Sequence, residues 1–281
     1  MQNITLKAYA KVNLFLCVGE LTPSGKHEVS TVLHRVEIYD TVSVCANEEG
    51  VIKLWCSDPE LPVDENNIAY SAAKQYFEIS KLSCGADISI EKNIPVKAGM
   101  GGGSSDAAAV LLALNKIHGA LSFDQIVRIA AELGADVPFF LYERDAMLGT
   151  GAGDVLINCP AIESELYGVF VLAGEKQSTG KMYALLDKVK SDTKLKSADR
   201  ILAALEEQDV LAILGAIENE FELVNEHFVG IRSELEAMGA KRVFLCGSGP
   251  TACAVFDDEA QAKRISKELR YTSFVAKLNT K

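Results

Sequence analysis

Long apolar runs are missing from this chain. Nowhere does a stretch approach the roughly 20 consecutive apolar residues that span a bilayer, so no membrane partner is expected. A secretory start is missing too. The opening MQNITLKAYAKVNLFLCVGE carries neither a basic start nor a small-residue cleavage site. It alternates through Ile4, Leu6, Ala8 and Ala10 and reads as a folded strand of a cytoplasmic protein. The seven cysteines, at 17, 45, 56, 84, 159, 246 and 253, form no CxxC pair and have no neighbouring histidine. That spacing suits neither a metal cluster nor a disulfide framework and leaves buried, reduced thiols. Basic residues are outnumbered, 28 Lys and Arg against 39 Asp and Glu, for a net charge of −11. A nucleic-acid partner needs a basic stripe, so none is expected. A small anion remains compatible, because backbone N–H groups with one lysine hold phosphate on an acidic protein, above all when Mg²⁺ comes with it.

What is present is an ordinary globular composition, 48% apolar and 24% charged, in 281 residues. That length is long for one core and comfortable for two. Residues 1–60 read mainly as strands: ITLKAYAKVNLFL, VSTVLHRVEIYDTVSV and VIKLWC. Helical spacing follows at 66–80, capped at Asn66 or Asn67. ADISIEKNIP alternates as a strand that stops at Pro95. A glycine-rich stretch comes next, then a helix from about Ser104 to Gly119 and another opened by Ser122 and closed by Gly134. Residues 149–165 carry no amphipathic period, and a domain boundary is placed there, giving domains 1–155 and 156–281. Beyond it GVFVLA reads as a strand, 197–238 as several helices, RVFLCG and ACAVFD as strands, then a helix and a last strand, SFVAKL. The class is α+β, with a sandwich in the C-terminal half.

KAGMGGGSSDAAA, 97–109, joins a strand to a helix. The first turn of a helix leaves N–H groups without partners and carries about half a positive charge. Glycines just upstream permit positive φ and remove the Cβ atoms that would block a ligand. Such a junction suits an anion; the competing reading is a flexible loop before a helix capped by Ser104 or Ser105. No lysine follows the glycines, so this is not a Walker A loop. Gly99 and Gly101 are followed by Ser104 rather than a third glycine, so it is not a Rossmann loop. In LGADVPFF, Val137 precedes Pro138 and is biased toward extended backbone, which puts Asp136 on a defined bend. There it serves either as a proton acceptor or as an N-cap or Asx turn. Alternation puts Lys11 and Asn13 opposite Ala10, Val12 and Leu14. That face is either solvated or holds a lysine placed to keep a carboxylate ionised and to neutralise phosphate. FLCGSGPTACAVF reads as a hairpin turn between apolar strands.

Together, AKVNLFL (10–16), IPVKAGMGGGSSDAAA (94–109), LGADVPFF (133–140) and CGSGPTA (246–252) resemble, in order and spacing, the GHMP small-molecule kinases, and most of all the members whose substrate carries a cytidine diphosphate. The resemblance runs over nearly the whole chain. It implies a two-domain GHMP kinase fold, S5-like in its N-terminal half and ferredoxin-like in its C-terminal half, with the active site in the cleft. It implies ATP, with Mg²⁺, as co-substrate for phosphorylation of an alcohol on a small phosphorylated molecule, by a monomer or homodimer. The ATP phosphates would be wrapped by Pro95, Val96, Lys97, Ala98, Gly99, Met100, Gly101, Gly102, Gly103, Ser104, Ser105 and Asp106. Asp136 would be the base and Lys11 its cationic partner. Asn13, His27, Thr179 and the loop Gly247, Ser248, Gly249 would meet the substrate, with His27 reading the cytosine edge. The family's usual G-Y-H triplet is Gly25-Lys26-His27 here, so the aromatic platform for the base is absent at Lys26, and Tyr183 stands where the opposite platform is expected. Other GHMP chemistries, on mevalonate, homoserine or a sugar, and a nucleotide-binding protein without turnover remain as alternatives.

Overall fold

The computed structural model describes residues 2–23, 25–172, 174, 178–190 and 194–280. By compactness the chain forms two units that interleave in sequence. One holds the segments up to Ala10, Ile38–Val96 and Gly101–Glu143; the other holds Lys11–Glu37, Lys97–Met100 and the chain from Arg144 onward. Two long strands, β1 (Asn3–Leu21) and β2 (His27–Asn47), each run through both units.

In the first unit β4 (Gly85–Glu91) pairs antiparallel with β2, from Thr41↔Glu91 to Asn47↔Gly85. Strand β3 (Ile52–Cys56) lies parallel to β4 on its other side. Helix α1 (Ile68–Ser80) packs on α2 (Gly102–His118). Both helices bury small residues, Ala69, Ala72 and Ala73 on one and Ala107, Ala108 and Ala109 on the other. Asn67 caps α1, its Oδ1 accepting from Ala69 N at 3.0 Å. Helix α3 (Phe123–Leu133) opens with a capping box: Ser122 accepts from Gln125 N and the Gln125 side chain accepts from Ser122 N. The short helix α4 (Val137–Leu141) follows, fully buried.

Two local expectations fail here for visible reasons. Strand β4 ends at Glu91 rather than running to Pro95, because the amides of Asn93 and Ile94 turn to the Asp40 carboxylate, at 2.6 and 2.8 Å. Val137 is helical rather than extended, since Pro138 falls in the first turn of α4, where a missing N–H costs nothing.

In the second unit β5 (Ala146–Thr150) pairs with β2 and with β6 (Val155–Asn158). This hairpin occupies much of the 149–165 stretch, which shows no amphipathic period in the sequence. Val155 and Ile157 are half exposed, which hides the usual alternation, and the turn uses left-handed Gly151 and Gly153. Strand β7 (Tyr167–Leu172) is followed by helices α5 (Thr179–Val189), α6 (Asp199–Glu207) and α7 (Val210–Ala216). The two-residue strand β8 (Glu218–Asn219) lies parallel to β1, then come a 3-10 turn (Glu220–Leu223) and α8 (Phe228–Ala237). Strands β9 (Arg242–Leu245) and β10 (Thr251–Phe256), helix α9 (Glu259–Glu268) and β11 (Thr272–Lys277) complete the chain.

Strands β11, β7, β10 and β9 form, in that order, a wholly antiparallel sheet. Counted along the chain the order is 4-1-3-2 with helices in the first and last connections, which is the ferredoxin-like split βαβ. Its core joins Val169, Val171, Leu245, Ala254 and Phe256 of the sheet to Leu186, Phe221, Leu235 and Ile265. None of the seven cysteines is bonded to another; Cys17, Cys56, Cys246 and Cys253 are buried and the other three half-buried.

Candidate active site

The glycine stretch leaves β4 and returns as α2. Helix α2 begins at Gly102, two residues before the expected Ser104, and its N-cap is Gly101 at φ 77° rather than a serine. Only glycine adopts that left-handed cap without strain. Neither serine caps: Ser105 lies inside the first turn, its Oγ donating to Gly102 O at 2.9 Å. Gly99 is also left-handed, at 78°, and so is Lys97, an exposed lysine at 61°. A non-glycine residue held at positive φ in a loop of this kind is strain carried by the surrounding geometry. A polyphosphate fits this stretch: small residues flank the N-terminal end of a 17-residue helix whose first N–H groups lack intrahelical partners.

The tip of the loop is packed within the second unit. Met100 O accepts from Lys11 N at 2.9 Å. A Cβ on Gly99 would meet Gly249 O at 2.8 Å and Cys246 O at 3.2 Å. One on Gly247 would lie 3.3 Å from Gly99 O, 3.4 Å from Asn13 Oδ1 and 3.5 Å from Lys11 Nζ. The structure therefore brings together Lys11, Asn13, Gly99 and the Gly247–Gly249 turn, from three separate sequence motifs. The turn is held from behind by buried Asn219, whose Nδ2 donates to the carbonyls of Leu245 and Gly247, both at 2.7 Å.

Lys11 and Asn13 are each 4% exposed, which excludes the solvated-face reading. Lys11 Nζ donates to Asn13 Oδ1 at 2.8 Å, Asn13 Nδ2 to Thr31 Oγ1 at 2.7 Å, and Thr31 Oγ1 to Phe15 O at 2.8 Å. This relay orients the ammonium with one direction fixed. Beside it, burial pushes the Cys246 thiol up to about 12 despite the lysine, so it stays neutral and is no nucleophile.

Of the remaining second-unit residues, Thr179 is the first residue of α5, with Ser178 as its cap, and its Oγ1 lies 3.4 Å from Ser248 Oγ. His27 does not stand apart from Tyr183: the two rings stack on each other, 5.0 Å between centroids and 12° from parallel. His27 also reaches Gly19 O with Nδ1 at 3.2 Å and lies 3.5 Å from Asp187 with Nε2. Lys26 is exposed. As they stand, the two rings leave no gap for a base between them.

In the first unit Asp136 occupies the N-cap position of α4, half-buried, at φ −85° and ψ −17°, and its side chain makes no cap hydrogen bond. The capping role is thereby set aside. Pro95 and Val96 are half-buried at the loop's entry.

Sequence reasoning missed Lys92 and Asp40. Lys92 Nζ lies between two carboxylates, in contact with Asp40 Oδ2 and donating to Asp106 Oδ2 at 2.6 Å. All three side chains are at most 8% exposed. The signal was present: Lys92 continues the buried parity of Ile88 and Ile90, and Asp40 that of Val36, Val42 and Val44. Opposite charges on core-facing positions of two paired strands point to a buried ion pair.

The charge balance of this cluster is one positive against two negative. Burial pushes the Asp106 carboxyl up from 3.8 to about 7, with Lys92 opposing the rise and Asp40 adding to it. Its Oδ1 is buried without a partner.

The sequence model of the GHMP kinases N terminal domain matches residues 67–144, and that of the GHMP kinases C terminal domain matches residues 189–273. The chain belongs to the GHMP kinases, ATP-dependent kinases of small molecules. Among its relatives, the 4-diphosphocytidyl-2-C-methyl-D-erythritol kinase of Lachnoclostridium phytofermentans is 35% identical over 275 residues, 96% of this chain and 94% of that protein. The protein of the same name from Syntrophotalea carbinolica is 37% identical over 267 residues, 93% and 92% of the two chains. A crystal structure of 4-(cytidine 5'-diphospho)-2C-methyl-D-erythritol kinase superposes with a TM-score of 0.77, at 29% identity and 98% coverage of each chain. Among the described residues no helix is long and apolar enough to cross a membrane.

A pH dependence follows from Asp106. A carboxyl raised in the folded state binds its proton where the unfolded chain has lost it, between about pH 4 and 7. Its contribution is fully present below 3.8 and is lost as the pH rises toward 7. Urea unfolding across this range is expected to show wild-type stability falling, relative to Asp106→Asn, as pH rises. Parallel curves for the two proteins would refute the assignment.

Proposed function

We propose that this protein transfers the γ-phosphoryl group of ATP to the 2-hydroxyl of 4-diphosphocytidyl-2-C-methyl-D-erythritol, a step of non-mevalonate isoprenoid precursor biosynthesis. The observation that carries the phosphoryl-transfer part is the backbone: left-handed Gly99 and Gly101 leading into the N-terminus of α2. The substrate part rests on relatives of that name at about 35% identity along nearly the full chain.

In this reading residues 95–106 cradle the ATP phosphates, and Mg²⁺ enters with the nucleotide. Asp136 accepts the proton of the attacking hydroxyl. Lys11, held by Asn13, stabilises charge on the transferring group. His27, Thr179, Tyr183 and the Gly247–Gly249 turn meet the substrate, and the ring stack of His27 on Tyr183 opens to admit the base. The halves 1–155 and 156–281 then divide the work, nucleotide on the first and closure of the substrate on the second.

Lys26 is the observation that favours a second reading, a different alcohol acceptor within the same family. A panel decides between them. ATP turnover is expected with the cytidyl substrate and not with the same diphosphate lacking cytosine. Turnover of mevalonate or homoserine, with none of the cytidyl compound, would transfer the assignment to the second reading.

Two substitutions separate chemistry from nucleotide binding. Asp136→Asn is expected to lower kcat by about 10²–10⁴-fold with ATP affinity retained; turnover near wild type would remove Asp136 from the base role. Gly101→Val is expected to weaken ATP binding in the folded protein, because a branched Cβ cannot take φ 77° at the cap. Unaltered ATP affinity in a nucleotide titration would show that the loop is not the cradle.

A further inference from the structure

We infer that Lys92 and Asp40 are positioning residues for the nucleotide: with Asp106 they form a buried ionic clamp that fixes both ends of the glycine loop. The inference rests on the loop's holding ATP, and deepens that reading by naming what shapes the loop.

The loop enters through Asn93 and Ile94 and leaves as α2. At the entry, Asp40 Oδ1 accepts both amides, from Asn93 N at 2.6 Å and from Ile94 N at 2.8 Å, while Asn93 Nδ2 donates to Tyr39 O at 3.1 Å. At the exit, Asp106 lies one turn into α2. Lys92 Nζ touches both carboxylates, so the entry strand, β2 and the first turns of α2 are tied through a single ammonium. A Cβ on Gly102 would come within 3.4 Å of that nitrogen and 3.2 Å of Ile94 Cγ2. The first residue of the helix thus rests directly on the clamp.

The ammonium is spent on this task. With two carboxylates in contact and a side chain 8% exposed, it does not reach out to a phosphate as a Walker-type lysine does. Its effect is on the loop's conformation. Gly99, Gly101, Gly102 and Gly103 have wide backbone freedom, and ordering them at binding would cost affinity. When only a fraction of molecules holds the binding shape, the apparent dissociation constant rises by the inverse of that fraction.

The test compares wild type, Lys92→Met and Lys92→Arg, each checked for folding by circular dichroism. Direct ATP titration is run beside steady-state kinetics with saturating acceptor. Expected are a rise of about tenfold or more in the ATP dissociation constant and KM of Lys92→Met, with kcat at saturating ATP within about threefold of wild type, and substantial recovery in Lys92→Arg. A merely structural role predicts the opposite split, a lower kcat from a smaller active fraction at unchanged KM, and that result overturns the clamp. Wild type that fails to bind ATP would instead sink the kinase reading itself. Should Lys92→Met not fold, Asp40→Asn carries the test, since it leaves a one-to-one Lys92–Asp106 pair. ATP affinity reduced about threefold or more supports the clamp, and unchanged affinity overturns it.

Discussion

One ammonium shared by two buried carboxylates sets the geometry of the first unit. Removing three charged groups from water is costly, and the cost is offset only if each finds close partners. Lys92 contacts one oxygen of each acid, and Asp40 spends its other oxygen on two backbone amides. Strand β4 must stop where those amides turn away, and α2 must start where Asp106 can reach back. The glycines between are then free to be small, because their path is determined at both ends by side chains lying outside the motif.

The second unit meets the same problem by a different means. Its loop tip and its Gly247–Gly249 turn are held by contact rather than by charge. The main chain of Gly249 comes so close to Gly99 that a side chain at position 99 would not fit, its Cβ lying 2.8 Å from Gly249 O. Around this backbone contact lies a hydrogen-bond relay, Lys11 to Asn13 to Thr31 to Phe15. The relay fixes one direction of the Lys11 ammonium, as the proposed role of meeting developing negative charge requires. The thiol of Cys246 beside it stays protonated for want of water.

Much of this was legible in the sequence, and the omissions have physical causes. The helices α1, α3 and α9 announce themselves by period and cap. The short apolar runs of β7, β9, β10 and β11 are equally plain, and so is the hairpin around Gly247. The start of α2 was misplaced because serine is a common cap, whereas the left-handed Gly101 cap depends on tertiary geometry that no propensity records. The β5–β6 hairpin was missed because its second strand exposes valine and isoleucine, so its pattern does not alternate. Strand β8, two residues long, has no signature at all, although its Asn219 anchors the Gly247 turn. Lys11 could not be assigned from parity, since β1 is buried on both faces at that point. Parity did mark Lys92 and Asp40, and only their pairing across strands was out of reach.

The proposed polyanion site, on a protein of net charge −11, raises the question of which local charges favour it. The clamp itself is unhelpful, one positive group against two negative ones directly below the N-terminus of α2. Two effects reduce that penalty. The Asp106 carboxyl sits near neutrality at about 7, so close to physiological pH the cluster lies between one negative charge and none. A phosphate arriving at the helix end raises that carboxyl further, since like charges disfavour ionisation. Attraction comes instead from the unpaired N–H groups of α2 and its dipole, which act at contact distance and are little affected by the protein's total charge. The glycines permit that contact, the clamp holds it in shape, and the buried acid adjusts its proton to the charge that arrives.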